Sequence, residues 1–214
     1  MLYEGEELVG AKQNRIVATS TLVDARSRQT ICVRCVERGR WSPLARLFEA
    51  ALRAAYPQLR RASRAGQGAT WSELVSKQQR MQARSPTEAA EQLYVVHRRR
   101  LDAYADAFPR QIGQSGAAVS IAGNPVCVDF LSRSDVFAGL YPKLVRGYAL
   151  DAIDAGGKGE TGTTRLVEFA TRRAGGEFSG LREDGELIAL DDVRARGRQG
   201  VRNGRRAADE PADG

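Results

Sequence analysis

A chain of 214 residues, 42% apolar and 7% aromatic, can bury one sizeable core, and it holds no apolar run long enough to span a bilayer. Its formal charge of +7 and isoelectric point near 9.7 suggest an anionic partner, yet +3 of that charge lies in the last residues, Arg194 to Gly214, which leaves a mildly basic body of +4. With four lysines against 29 arginines, the basic character is a bias spread over the whole surface, not a stripe interleaved with aromatics, which argues against nucleic acid as the partner.

In chain order, Leu2 to Val9 reads as a strand end entering a turn at Gly5. Ile16 to Val23 and Thr30 to Val36 are rich in β-branched residues and flank a polar, turn-compatible stretch from Asp24 to Gln29, so they predict an antiparallel hairpin. Pairing about Arg26-Ser27 sets Val17 opposite Val36 and Ile16 opposite Glu37, within a residue or two for a bulge. Ser42-Pro43 then begins a helix carrying Leu44, Leu47, Phe48, Ala51 and Leu52 to a stop before Pro57, followed by a basic loop from Arg60 to Ala69. Thr70 and Glu73 have capping-box spacing for a second helix that fades near Arg84. Ser85-Pro86-Thr87-Glu88 starts the longest one, to Phe108, burying Leu93, Leu101, Tyr104 and Phe108 and exposing Arg98, Arg99 and Asp102. His97, the single histidine, falls on its apolar stripe as a packed, partly buried residue without a metal role.

Ala117 to Ile121 and Val126 to Phe130 form a second hairpin about Ala122-Gly123-Asn124-Pro125. Asp135 to Ile153 is helical with a break expected near Leu140, because Pro142 lacks an amide hydrogen. Ala155 to Thr163 does not match the phosphate-loop spacing and reads as a connector. Thr164 to Arg173 forms a short helix, Glu186 to Leu190 a last short strand, and residues 194–214 a disordered basic tail. Strands in hairpins and helices in a central run predict an α+β fold, a sheet or partial sandwich of antiparallel hairpins in one domain over residues 1–193. Cys32, Cys35 and Cys127 make an odd count without a signal peptide, so the chain reads as cytoplasmic. Cys32 and Cys35, three apart in a strand, point to opposite faces, which does not suit a shared metal or redox pair.

The chemistry gathers at the open end of the first hairpin. There Lys12, Arg15 and Arg40 can hold phosphate oxygens, Gln13 and Asn14 offer donors and acceptors to a ribose or base, and Trp41 can stack on a ring. Glu7 and Glu37 are the nearby candidates for acid–base work or metal ligation. The alternative is structural: Glu37 pairs with Lys12 or Arg15, Gln13 and Asn14 satisfy loop amides, and Trp41 fills the core. No motif specifies a metal or a cofactor.

Glu4-Gly5-Glu6-Glu7-Leu8-Val9-Gly10-Ala11-Lys12-Gln13-Asn14-Arg15, with Cys35-Val36-Glu37-Arg38-Gly39-Arg40-Trp41 and, more weakly, Gly147-Tyr148-Ala149-Leu150-Asp151-Ala152, resembles the ARG- and rhodanese-phosphatase-superfamily-associated protein domain, to about Gly180. The resemblance implies further strands upstream of Glu4, hence a truncated N-terminus with unpaired sheet edges, and a closing strand where this chain carries arginines. It implies no reaction. Three functions follow as expectations: binding or processing of an anionic, nucleotide-like ligand such as an ADP-ribose derivative; a non-enzymatic module that docks a partner protein; and, least favoured, RNA binding. No membrane association is expected.

Overall fold

The structure is a computed structural model and describes residues 1–40, 42, 47–156, 163–174, 181–184 and 187–191. Two four-stranded antiparallel sheets, not one, flank a long helix, with the remaining helices packed around them. The first sheet comprises β1 (Glu6–Gly10), β2 (Arg15–Val17), β3 (Val33–Cys35) and β4 (Phe48–Ala54), in the order β3-β2-β1-β4. Helices α1 (Pro57–Ala65), α2 (Gln67–Arg80), α3 (Glu91–Val96) and α4 (Arg98–Ala107) come next. The second sheet follows, from β5 (Gln114–Ile121) and β6 (Asn124–Phe130), then α5 (Ser134–Ala155), α6 (Thr163–Ala174), β7 (Leu181–Asp184) and β8 (Leu187–Asp191), in the order β6-β5-β8-β7.

The first hairpin is antiparallel as predicted, but three residues out of the expected register: Arg15 faces Cys35, Ile16 faces Arg34 and Val17 faces Val33. The turn forms where expected, with Arg26 at φ 58° and the Ser27 amide donating to Asp24 O at 3.2 Å. Residues 19–30 are largely exposed, however, and strands with no face to bury do not zip up beside it.

The expected helix from Ser42 is instead strand β4 over its described part. Leu47, Phe48 and Leu52 sit at helical spacing yet remain exposed, so no core face selects the helix. The edge of β1 captures the segment, with Gly10 opposite Phe48 and Leu8 opposite Ala50. Gly10 (φ 136°) allows this approach, since a Cβ there would lie 2.3 Å from Leu47 O.

The expected loop from Arg60 is helical, and Pro57 opens α1 at its first turn instead of closing a preceding helix. What disguised α1 is its buried face, Leu59, Arg60 and Ser63, in which a neutralised arginine stands where an aliphatic residue is usual. Thr70 does not cap α2, which starts at Gln67; its hydroxyl donates to Gly66 O at 2.8 Å. Ser85 does cap a turn, accepting from the Thr87 and Ala89 amides, but the long helix expected there is split into α3 and α4 at His97. Leu93 and Leu101 are buried, Tyr104 and Phe108 half-buried, and Asp102, expected to be exposed, is half-buried against Arg146. His97 is half-buried, with Nε2 3.2 Å from Met81 O.

Helix α5 runs unbroken through Pro142. Proline inside a helix costs about 3 kcal/mol, but α5 buries Phe137, Leu140, Tyr141, Leu144, Val145, Tyr148 and Leu150, each worth about 1.5–3 kcal/mol. It serves two cores: Leu150 and Ile153 pack with Ile16, Tyr56, Leu59 and Leu93, whereas Phe137, Tyr141 and Leu144 pack with Ala54, Ala117 and Val119. Gly147 lies against β4, where a Cβ would come within 2.9 Å of Ala54 O. The β5–β6 hairpin turns through Ala122 and Gly123, both at positive φ, and a bulge accommodates Pro125. α6 and β8 match the expected last helix and strand, and β7 adds to them. The connector between residues 157 and 162 and the tail from 194 lie outside the described residues.

Candidate functional site

The two polar motifs do converge, through a turn that Gly10 and Ala11 enter at positive φ. Asn14 is its hub. Its amide donates to Glu37 Oε2 at 3.1 Å, its carbonyl accepts from the Val36 amide, and its Oδ1 accepts from the Gly10 amide and from Arg40 Nη2 at 3.1 Å. Arg40 also donates to Ala11 O and forms a 2.7 Å ion pair with Glu37 Oε2. Glu37 Oε1 accepts from Thr87 Oγ1, and Gln13 is held between Arg38 O and the Arg15 guanidinium. Burial pushes the Glu37 carboxyl up, but hydrogen bonds from Arg40, the Asn14 amide and Thr87 outweigh it and hold the carboxyl below its ordinary value.

Glu37 therefore pairs with Arg40, not with Lys12 or Arg15. Glu7 lies one strand away, 1% exposed, with both oxygens taken by Arg53 at 2.6 and 2.9 Å; burial pushes its pKa up despite that partner. Lys12 is exposed and Arg15 half-buried, so the three cations expected to hold phosphate are separated by environment. Trp41 lies outside the described residues. Cys35 is buried and donates to Glu37 O, whereas Cys32 is exposed. Among the described residues no group of three or more His, Cys, Asp or Glu is placed to hold a metal, and no helix is long and apolar enough to cross a membrane.

Both carboxylates thus act as hubs of hydrogen-bonded pairs with no free oxygen directed at solvent. Glu37→Ala, which strands the Asn14 amide and the Arg40 guanidinium, should lower unfolding free energy by about 2–3 kcal/mol. Urea denaturation measures this; a loss below about 0.5 kcal/mol would mean that the network does not hold the turn.

Two larger clusters escaped sequence reasoning. Arg60 reaches from α1 to Asp129 on β6 with paired bonds of 2.6 and 2.7 Å, and Tyr3 and Tyr148 donate to the same carboxylate. Cys127 Sγ sits 3.6 Å from Arg60 Nη2, and burial pushes its thiol far up, which favours the protonated form. Lys77, wholly buried on α2, meets Asp151 and Asp154 of α5, and its ammonium lies 4.3 Å from the Tyr56 ring centre. The signal was present in Gly147 to Ala152, which carries Tyr148 and Asp151, but a helical motif does not disclose its partners. Beside Tyr148 a small, open cleft is lined almost entirely by apolar groups, among them Tyr104, Phe108, Val119 and Val145.

The sheet edges differ. At β3 the Gln67 side chain acts as a substitute strand, donating to Cys35 O and accepting from its amide, both at 2.8 Å. At β4, among the described residues, no strand pairs with the outer side, and Phe48, Ala50 and Leu52 are exposed along one face, Leu52 at 82%.

The family model described as ARG and Rhodanese-Phosphatase-superfamily-associated Protein domain matches residues 1–207. This reaches beyond Gly180, where the resemblance was expected to end. No curated protein and no solved structure matches the chain.

Proposed function

The chain belongs to the ARG and Rhodanese-Phosphatase-superfamily-associated Protein domain family, and from that premise we propose that it works as a non-enzymatic protein-interaction module whose working surface is the β4 edge. The observation that carries this reading is the contrast between a polar centre closed on itself and an open, apolar strand edge. Glu7, Gln13, Asn14, Glu37 and Arg40 have their polar groups engaged by protein partners, so a ligand would have to break those bonds to be held. β4 instead, among the described residues, has no strand on its outer side, beside exposed Phe48 and Leu52. Addition of a partner strand to such an edge supplies main-chain bonds, and the side chains supply selectivity.

A bait series tests it. Proteins retained by the wild-type chain should be lost with Leu52→Asp and kept with Lys12→Ala, while both variants unfold within about 0.5 kcal/mol of wild type because both sites are exposed. Retention by Leu52→Asp, or loss with Lys12→Ala, would point away from the edge.

A nucleotide-like anion, an ADP-ribose derivative for example, is the second reading, favoured by exposed Lys12 next to half-buried Arg15 at the hairpin end. A ligand that binds the folded state alone raises the melting temperature by mass action. Stabilisation by ADP-ribose or NAD that Lys12→Ala abolishes would make this reading the better one.

A further inference from the structure

Beyond the β4 edge, we infer that the outer face of the α3–α4 junction is a second docking surface, and that its partner is an acidic segment of another protein. Val95 and Val96 at the end of α3 and Arg98, Arg99 and Arg100 at the start of α4 are all exposed, while Leu93, Tyr94 and Leu101 hold the junction to the core. The three arginines fill the first turn of α4, which carries no acidic residue. A helix is least suited to them there. Its N-terminus already bears a partial positive charge, so cations are unfavourable, and three adjacent guanidinium groups also repel one another. The fold offsets little of this. Among the described residues Arg98 reaches Asp102 only at 3.8 Å, and Arg99 and Arg100 make no ion pair and no side-chain hydrogen bond. A charge arrangement that costs stability, and that no described contact within the chain uses, is suited to an outside anion.

The rest of the face decides which anion. Asp106 lies seven residues beyond Arg99, exposed on the same side of α4 and about 10 Å along it. A flat anionic bilayer would meet both signs at once, whereas a segment crossing the junction meets arginines alone. Single-stranded nucleic acid is held by aromatic side chains that alternate with cations. Here Tyr94 is buried, and the exposed apolar residues of the junction are valines, which offer no ring for a base to stack on. Carboxylates of Asp or Glu match the arginine forks bidentately, and apolar side chains of the same segment cover Val95 and Val96.

The test uses the full chain and two exposed double variants that change net charge equally: Arg99→Glu/Arg100→Glu on this face, and Arg26→Glu/Arg28→Glu on the turn of the first hairpin. The probe is a short fluorescent peptide of glutamates around a central Leu-Leu pair, followed by anisotropy. Wild type should bind it, more weakly as salt is raised. Arg99→Glu/Arg100→Glu should weaken binding about tenfold or more, while Arg26→Glu/Arg28→Glu and Leu52→Asp should stay within about twofold of wild type. The urea midpoint of Arg99→Glu/Arg100→Glu should rise, because glutamates suit the first turn of a helix, so that lost binding is not lost folding. Absence of binding by wild type, equal weakening by both double variants, or equal weakening by Leu52→Asp overturns the proposal. So does a lower urea midpoint for Arg99→Glu/Arg100→Glu, which would mean that the arginines serve the fold. Anionic vesicles or an oligonucleotide held more tightly than the peptide, and released by the same variant, would overturn the acidic protein segment as the partner.

Discussion

Replacing Arg60 by methionine should lower the unfolding free energy by about 3–5 kcal/mol, because Asp129 is left ionised in the interior without its partner. The pair is almost sealed, Arg60 being 5% and Asp129 3% exposed. Burial pushes the Asp129 carboxyl up, but the guanidinium, Tyr148 and Tyr3 more than reverse this and hold it below its ordinary value. The folded carboxyl thus releases its proton more readily than the unfolded one. It contributes stability that is complete above the unfolded value of about 3.9 and is lost as pH falls through the lower folded value. In Arg60→Met that contribution disappears at neutral pH. Adding Asp129→Leu should restore part of the loss, since a buried ion pair replaced by apolar groups of similar volume is often neutral. Restoration stays incomplete, because Tyr3 and Tyr148 lose their acceptor. Equilibrium urea unfolding of the two variants decides it. A single variant within about 1 kcal/mol of wild type, or a double variant no better than the single, would show that the pair does not hold α1 against β6.

How much of this was legible in the sequence differs from one element to the next. The convergence of Lys12 to Arg15 with Glu37 to Arg40 was readable, because an antiparallel hairpin brings its two open ends together in any nearby register. The register itself was not, since it depends on which strand residues find a face to bury, and residues 19–30 find none. Nor was the saturation of Glu37, because Arg40 lies three residues ahead of it and Thr87 fifty, and only the folded chain chooses between them and Lys12 or Arg15. β4 was misread for a related reason. Phe48 and Leu52, four apart, match a helix face, but the same spacing lines one side of a strand, and only the vacant edge of β1 decides. Charge misled at Arg60 and Lys77, which composition assigns to the surface and the fold assigns to the core because Asp129 and Asp151 meet them there.

Lys77→Met is expected to cost about 3–5 kcal/mol at pH 7 and, unlike most buried-charge variants, to recover part of that loss on mild acidification. Lys77 is wholly buried and holds Asp151 and Asp154 together, with Asp154 shared by Arg80 at 2.8 Å. Asp151 is itself buried, 3% exposed. Burial pushes its pKa up, and the opposing pull of Lys77 and of the Gln58 amide at the start of α1 does not reverse the direction. A carboxyl whose folded pKa is raised binds its proton more tightly in the folded state, so its contribution to stability grows as pH falls toward the unfolded value of about 3.9. Removing the ammonium removes the largest pull downward on Asp151 and widens that difference. Asp129, Glu37 and Asp154 are all held below their ordinary values, so they stay ionised and contribute little slope between pH 7 and pH 5. Glu7 and Glu73, which burial also pushes up, act in both proteins, so wild type gains some stability on acidification, the variant gains more through Asp151, and the gap between them narrows. Urea midpoints for both proteins at pH 7 and pH 5 measure it. A gap below about 1 kcal/mol at pH 7, or one that widens on acidification, would mean that Asp151 is not left charged and unpaired when Lys77 is removed.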